Sequence, residues 1–295
     1  MIKKAISVLC LLLPSSITCM IFRLLGHKVG KNVKIPFLTY IYAKEIELGN
    51  DVDLRPFVFI SVSKLSIGNN SIISFGTQIK GNKTFIAQDN SFMGVHCLIN
   101  CDEDVKIGFY SGLGPRCTVY THGSFLPVTK GYPAKFEKVV LEDYVWTGMA
   151  VTFLPGTYIE SNCIISPGVV LSSRIKTNTL VKFNPSSFVE FDLQKLQRFS
   201  KKNNAYYHEE ILRKFCQYHK MKYEHNKTNN SFVVEGKYTF EYFPDNNIIE
   251  LQNYNSKKIS YDLDNYYTDY SKLRIHKNFL FFLRRRFGLT LRTKY

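Results

Sequence analysis

The chain has 295 residues, enough for one large domain or two ordinary ones. Apolar residues at 45% and charged residues at 21% give a globular composition, which excludes wholesale disorder, a collagen-like rod and a multi-span membrane protein. Thirty-nine lysines and arginines against 24 acids leave a net charge of +15, which favours an anionic partner such as phosphate, nucleic acid or a lipid surface.

At the N-terminus, Met1 to Lys4 lead into the apolar stretch Ala5–Phe22. A basic start and an apolar run can be a signal peptide. Here Pro14-Ser15-Ser16 interrupts the run, Ser15 or Ser16 can cap a second helix, and no small-x-small cleavage site precedes an obvious mature start. The expectation is two short amphipathic helices over residues 1–26. Seven cysteines form an odd count without a CxxC pair, so neither a disulfide framework nor a zinc ribbon is signalled, and a reducing cytoplasm is the simplest setting. Cys97 and Cys101 lack a second pair at zinc-site spacing and read as packing residues.

The middle of the chain repeats. Read in sixes from Leu141, the first position is aliphatic or aromatic (Leu141, Phe153, Ile159, Ile165, Leu171), the fifth is Val, Thr, Cys or Ile, and Gly, Pro or Asn gather between them. Val29-Gly30, Leu48-Gly49-Asn50-Asp51, Ile67-Gly68-Asn69-Asn70, Ile107-Gly108 and Leu113-Gly114-Pro115 follow the same rule with interruptions. One short strand and one corner per hexapeptide, three sides to a coil of about eighteen residues, would stack the apolar positions into a central ladder.

Leu141-Glu-Asp-Tyr-Val-Trp-Thr-Gly, Phe153-Leu-Pro-Gly-Thr, Ile165-Ser-Pro-Gly-Val-Val and Asn184-Pro185-Ser186 resemble the closing coils of hexapeptide-repeat acyltransferases. That family includes sugar and xenobiotic O-acetyltransferases built on a left-handed parallel β-helix. The resemblance covers residues 27–190 and is strongest over 107–187. It implies a mainly β fold, and the handedness comes from it alone, because general crossover rules give the opposite sense.

Between Val119-Tyr120 and Leu141 the sixfold rule breaks at Thr121-His122-Gly123-Ser124-Phe125-Leu126-Pro127, continuing to Gly131-Tyr132-Pro133, so this segment reads as a loop leaving the helix. Its imidazole, His122, suits removal of a proton from a hydroxyl attacking a thioester. In the resembled enzymes the base is a histidine just before such a loop, about two dozen residues ahead of a Val-Trp-x-Gly turn, and His122 stands 24 residues before Trp146. The resemblance further implies a donor channel for acetyl-CoA at Trp146, Gly148, Met149, Pro167, Ser172 and Lys182, held mainly by backbone groups. A backbone N–H near Gly148 or Met149 would face the developing oxyanion. Departures from the family pattern are Glu142, Glu160 and Ser166 at positions usually small, Lys182-Phe183 before Asn184-Pro185, and Ser187 and Glu190 where phosphate-binding basic residues usually stand. Lys182, Arg174 and Lys176 are the alternative cations. No metal is required, and His96 and His27 read as packing residues.

Residues 191–295 read as a small α+β appendage: helical spacing over 192–222, strand alternation over 231–262 with a turn at Pro244-Asp245-Asn246, and a dense set of tyrosines (Tyr254, Tyr261, Tyr266, Tyr267, Tyr270) that suits a glycan face and packing alike. From Arg274 onward seven basic residues and no acid surround Phe279, Phe281, Phe282 and Leu283. Residues 274–295, alone or with residues 1–25, are expected either to touch an anionic membrane or, as an amphipathic helix, to pack against the coil's open end.

The resemblance thus implies a CoA-dependent O-acyltransferase acting on a sugar hydroxyl in surface-polysaccharide or glycan synthesis, cytoplasmic, homotrimeric, with no nucleic-acid partner. A metal hydratase on the same coil would need three converging histidines, two of them closely spaced, and His96 and His122 are 26 apart. A catalytically silent scaffold or glycan-binding protein is the remaining alternative.

Overall fold

The computed structural model describes residues 2–123, 128, 134–183, 204–253, 258–287, 289 and 291–294. They fall into two compact units, the first running to Gly123 and resuming at Lys135, the second taking Ala134 and the chain beyond the coil.

The first unit is a parallel β-helix. Its first face has eight strands, from Lys28–Val29 to Arg174–Ile175; its second has seven, from Asp53–Leu54 to Leu180–Val181; its third has seven, from Tyr40–Tyr42 to Val170–Leu171. Each strand pairs only with the coil above and the coil below. The first hexapeptide positions Leu141, Phe153, Ile159, Ile165 and Leu171 all point inward and are buried, as are Val145, Val151, Thr157, Cys163 and Val169 at the fifth. Complete burial of such side chains is worth roughly 1.5–3 kcal/mol each. Because every coil repeats the pattern, the sum grows with coil number rather than with any single contact.

The coil is longer than eighteen residues over its first half. Thr152 pairs with Val170 at the expected eighteen, but Gln78 pairs with Leu98 and Leu98 with Thr118 at twenty. The extra residues extend the corner between the third and first faces, through Gly81-Asn82-Lys83 and Cys101-Asp102-Glu103. These additions are the interruptions seen in the sequence. At the corner between the first and second faces glycine is required for room: a Cβ on Gly30, Gly68 or Gly108 would lie 2.5, 2.4 and 2.4 Å from backbone of the next coil.

Helix α1 (Ile2–Leu9), a 3-10 turn (Cys10–Leu12) and helix α2 (Ser15–Leu24) precede the coil, with Cys10, Cys19 and Phe22 buried in its core. The expected serine cap is not what Ser15 does. Pro14 holds the cap position without a side-chain bond, and the Ser15 hydroxyl instead donates to the Val33 carbonyl and accepts from the Ile35 N–H, tying the helix to the first coil. All seven cysteines are buried and unbridged.

The second unit is a seven-stranded sheet, antiparallel except at its last edge, with helices α3 (Asn204–Tyr218) and α4 (Arg274–Phe287). The helical expectation over 192–203 lies outside the described residues. Phe215, Phe232, Phe240, Tyr261, Phe279 and Phe282 are fully or almost fully buried. Val128 and Ala134, from the excursion after Gly123, belong to this core. In the basic tail Phe279, Phe282 and Leu283 are core residues of this unit itself, and of the apolar residues named for lipid contact Phe281 stays exposed. The tyrosines divide, Tyr261 buried and Tyr267 and Tyr270 exposed; Tyr254 lies outside the described residues.

Candidate active site

One coil is longer than its neighbours. Thr118 pairs with Thr152, although the coil below recurs at twenty residues, and Val139 resumes the first face beside Val105, so the extra chain is an excursion from the corner between the third and first faces. Its neck is a two-residue antiparallel ladder, His122–Gly123 with Lys135–Phe136. This ladder fixes the backbone of His122 where the chain departs. The Phe136 ring stacks beside the imidazole at 5.6 Å between centroids and 22°.

The imidazole is held by the coil below. His122 Nδ1 lies 2.9 Å from Asn100 Oδ1 and 3.2 Å from Asp102 Oδ2. Asp102 is almost wholly buried, and both its oxygens accept amide hydrogens: Asn82 Nδ2 donates to Oδ1 at 3.3 Å and Asn100 Nδ2 to Oδ2 at 3.3 Å. The Thr121 hydroxyl lies 3.0 Å from the Asn100 carbonyl and 3.1 Å from its Oδ1, and accepts the Glu103 N–H. A carboxylate and an amide oxygen facing Nδ1 favour the tautomer with its proton there. Nε2 then carries the lone pair, which is the state a general base needs.

Asp102 and Asn100 were not found by reading the sequence in sixes. The signal was present at the longer period: Asn82, Asp102 and His122 are twenty residues apart and stand on successive coils at one corner.

The expected donor residues separate into two groups. Trp146, Gly148, Met149, Pro167 and Lys182 share the second face and its corner with the third. Trp146 pairs with Ile164, the Gly148 N–H donates to the Ile165 carbonyl, and Gly168 donates to the Met149 carbonyl. Trp146 is half exposed, stacks on Phe92 at 6.1 Å, and lies over Gly112, where a Cβ would meet its ring at 2.8 Å. Gly148 has no room for a side chain either, since a Cβ would stand 2.7 Å from Pro167. Ser172, exposed, follows Leu171 at the opposite edge of the third face, two coils beyond the His122 corner. Arg174 is engaged by Glu160 at 2.7 Å and lies over the Tyr158 ring, whereas Lys182 is exposed.

His96 sits at a corner with positive φ and packs edge-on against Phe75. Among the described residues no group of three His, Cys, Asp or Glu side chains could hold a metal ion. A groove of about 1060 Å³ runs along a different corner, over Gly30, Gly49 and Gly68. Its polar lining is spent on the coil: Asn69 and Asp89 accept backbone N–H groups of the neighbouring coil.

No protein-family model matches the chain. A galactoside O-acetyltransferase of Lactococcus lactis is 26% identical over 157 residues, which is 50% of this chain and 67% of that one. Among solved structures, a point mutant of AntD, an N-acyltransferase from Bacillus cereus in complex with dTDP and coenzyme A, is 20% identical, with a TM-score of 0.39 over 55% of this chain and 82% of that one. The polysialic acid O-acetyltransferase OatWY is 18% identical, TM-score 0.28, over 52% and 82%. A maltose O-acetyltransferase from Clostridium difficile 630 is 18% identical, TM-score 0.29, over 48% and 63%. With its stacked hexapeptide coils and a relative of that activity matched over half its length, the chain is similar to the hexapeptide-repeat sugar O-acetyltransferases.

Proposed function

We propose that the protein transfers an acetyl group from acetyl-CoA, drawn from the cytoplasm, to a hydroxyl of a sugar or glycan acceptor, with His122 as general base. The observation that carries this reading is the Asp102–Asn100–His122 arrangement, a buried carboxylate and an amide oxygen aimed at Nδ1 of a partly exposed imidazole. His122 Nε2 takes the acceptor hydroxyl proton as its oxygen attacks the thioester carbonyl. The tetrahedral intermediate then collapses, the carbon–sulfur bond breaks, and the thiol leaves with a proton. The exposed corner of Gly148, Met149 and Pro167, with Trp146 beside it and Lys182 on the next coil, offers backbone groups and a cation to the donor. Surface-polysaccharide or glycan synthesis is the setting we infer from the resemblance of the repeats to sugar O-acetyltransferases and from the polar appendage.

Within one chain, His122 stands at the corner between the third and first faces, whereas Trp146 stands on the second face. A donor bound by both therefore calls for a second copy of the chain, which supports a homotrimer whose sites lie between neighbours. Phe37, Leu38, Phe57, Phe75 and Val95 are exposed along one side of the coil and offer apolar surface for that assembly.

The test is thiol release from acetyl-CoA over a panel of sugars. The His122→Ala protein should keep its melting temperature and lose at least about a hundredfold in turnover, since a positioned base contributes 10²–10⁴. Turnover close to that of the parent would remove His122 from the mechanism. No thiol release with any acceptor, from protein shown to be trimeric by light scattering, would favour a silent scaffold.

A further inference from the structure

We infer that helices α1 and α2 form a docking face for an anionic lipid surface, a property that stands independently of the acyl-transfer reading. A helix lying on a globular unit normally turns its apolar stripe inward and its polar stripe outward. This pair is apolar on both sides. The side chains turned toward the coil are Ser7, Cys10, Thr18, Cys19 and Phe22, all buried, with Ile6, Leu13 and Ile21 partly buried against the same core. The outward side chains are Val8, Leu9 and Leu12 on the first segment and Ile17, Met20 and Leu24 on the second. They recur at three and four residues along each segment, so each set is one continuous stripe. Leu12 is 70% exposed and Leu24 79%.

The inward set already accounts for the closure of the coil's end, together with the Ser15 bonds to Val33 and Ile35 and the Arg23 guanidinium on the Val29 and Gly30 carbonyls. These ties hold α2 in one orientation, so its outer stripe cannot rotate into the core. The six large outward side chains are 40–79% exposed.

Charge decides the occupant. From Met1 through Lys44 there are seven basic residues, Lys3, Lys4, Arg23, Lys28, Lys31, Lys34 and Lys44, and no acid; the first carboxylate is Glu45. Of these, Lys28 and Lys34 pair with Glu47 and Asp53 of the next coil and Arg23 is held on two carbonyls, but the helices themselves carry cations and no acid. Apolar stripes on acid-free helices fit the interface of a bilayer carrying anionic headgroups, with the aliphatic tips among the acyl chains. A second copy of the chain would bring the same acid-free helices, and so only like charge, to this face. Among the described residues no helix is long and apolar enough to cross a membrane, so the contact is one of lying on the surface. The basic C-terminal helix does not compete for this role, because Phe279, Phe282 and Leu283 are buried in the second unit.

The experiment is flotation of the full chain with phosphatidylcholine vesicles, with and without phosphatidylglycerol. The expected result is recovery with the anionic vesicles at low salt and at least about tenfold less with neutral vesicles or at high salt. The variant Val8→Ser, Leu12→Ser, Met20→Ser and Leu24→Ser should float at least about tenfold less, with an unchanged melting temperature. Leu24→Ser alone, at the exposed end of α2, should show part of the same loss. Lys277→Gln with Arg274→Gln should change nothing. Equal flotation with both lipids, unaltered flotation of the four-site variant, or loss on altering the tail would overturn the proposal. So would a parent that fails to float but loses mass by light scattering when the four residues are changed, which would give the face to a second copy.

Discussion

The two units solve the same problem of burial by opposite means. In the coil, a given environment recurs on every turn: Ile60, Ile79, Ile99, Val119, Phe153 and Leu171 occupy one inward ladder of the third face, each seeing nearly what its neighbours see. In the second unit no environment recurs. Phe279 meets Phe215, Phe240 and Tyr261 at centroid distances of 4.9, 5.1 and 5.0 Å, drawn from a helix and two strands far apart in sequence. A stack of equivalent layers tolerates a local defect as one weak rung, whereas a converging aromatic cluster fails as a whole.

The largest effects should come from truncating the aromatic at the heart of each unit. Phe279→Ala and Phe153→Ala should each cost about 3–5 kcal/mol, the usual range for a buried phenylalanine. By calorimetry they should lower different transitions. A single transition moved equally by both would erase the distinction between a layered and a convergent core.

Acid offers a second way to separate the units. Burial holds the His208 imidazole down to about 4 from its ordinary 6.5, against a smaller opposing effect of its bond to Asn247. Burial also lowers His219 and His276 in the same unit. As pH falls below 6.5 the unfolded chain takes up a proton that folded His208 excludes, so stability is lost progressively down to about pH 4. The loss from His208 is up to about 3 kcal/mol. Melting curves at descending pH should therefore show the second unit yielding first, and equal sensitivity of both would contradict this.

Smaller effects sharpen the contrast between glycines. Gly108→Ala drives a Cβ to 2.4 Å from the Glu142 backbone and should cost about 1–3 kcal/mol. Gly236 has open space around it but a φ of +62°, so Gly236→Ala should cost about 1 kcal/mol, from backbone strain alone. Asp102→Asn keeps the shape of the His122 partner and removes its charge. About a tenfold fall in kcat, with little change in KM or melting temperature, is the expected signature of a group that positions and supports the base.

The coil was legible because its signal is redundant: a hexapeptide misread at one place is corrected by the next. Its first half resisted for a physical reason. Gly81-Asn82-Lys83 and Cys101-Asp102-Glu103 lengthen one corner, and a period of six loses phase there while a period of twenty would have kept it. The same loss of phase hid Asp102 and Asn100. His122 was visible from its place before a broken repeat, but its partners lie one coil down, which is distance in space that only the coil length converts into distance in sequence. In the second unit, alternation located the strands from Phe232 to Tyr261. The burial of Phe279 and Phe282 depends on long-range packing, and a basic amphipathic stretch looks the same whether its apolar side meets a sheet or a lipid.

The departure of the chain after His122 has a hereditary consequence. Val105 pairs with Val139 and Thr118 with Thr152 as though the excursion after Thr121 were absent, so the solenoid is indifferent to what is spliced in at that corner. Yet the spliced segment carries the neck that seats His122, and its Val128 and Ala134 are counted among the second unit's core. A recombination event that exchanged the C-terminal unit without its matching loop would leave the scaffold whole and strand those two side chains. The loop and the appendage should therefore be inherited as one module, moving together between scaffolds while the coils beneath them diverge.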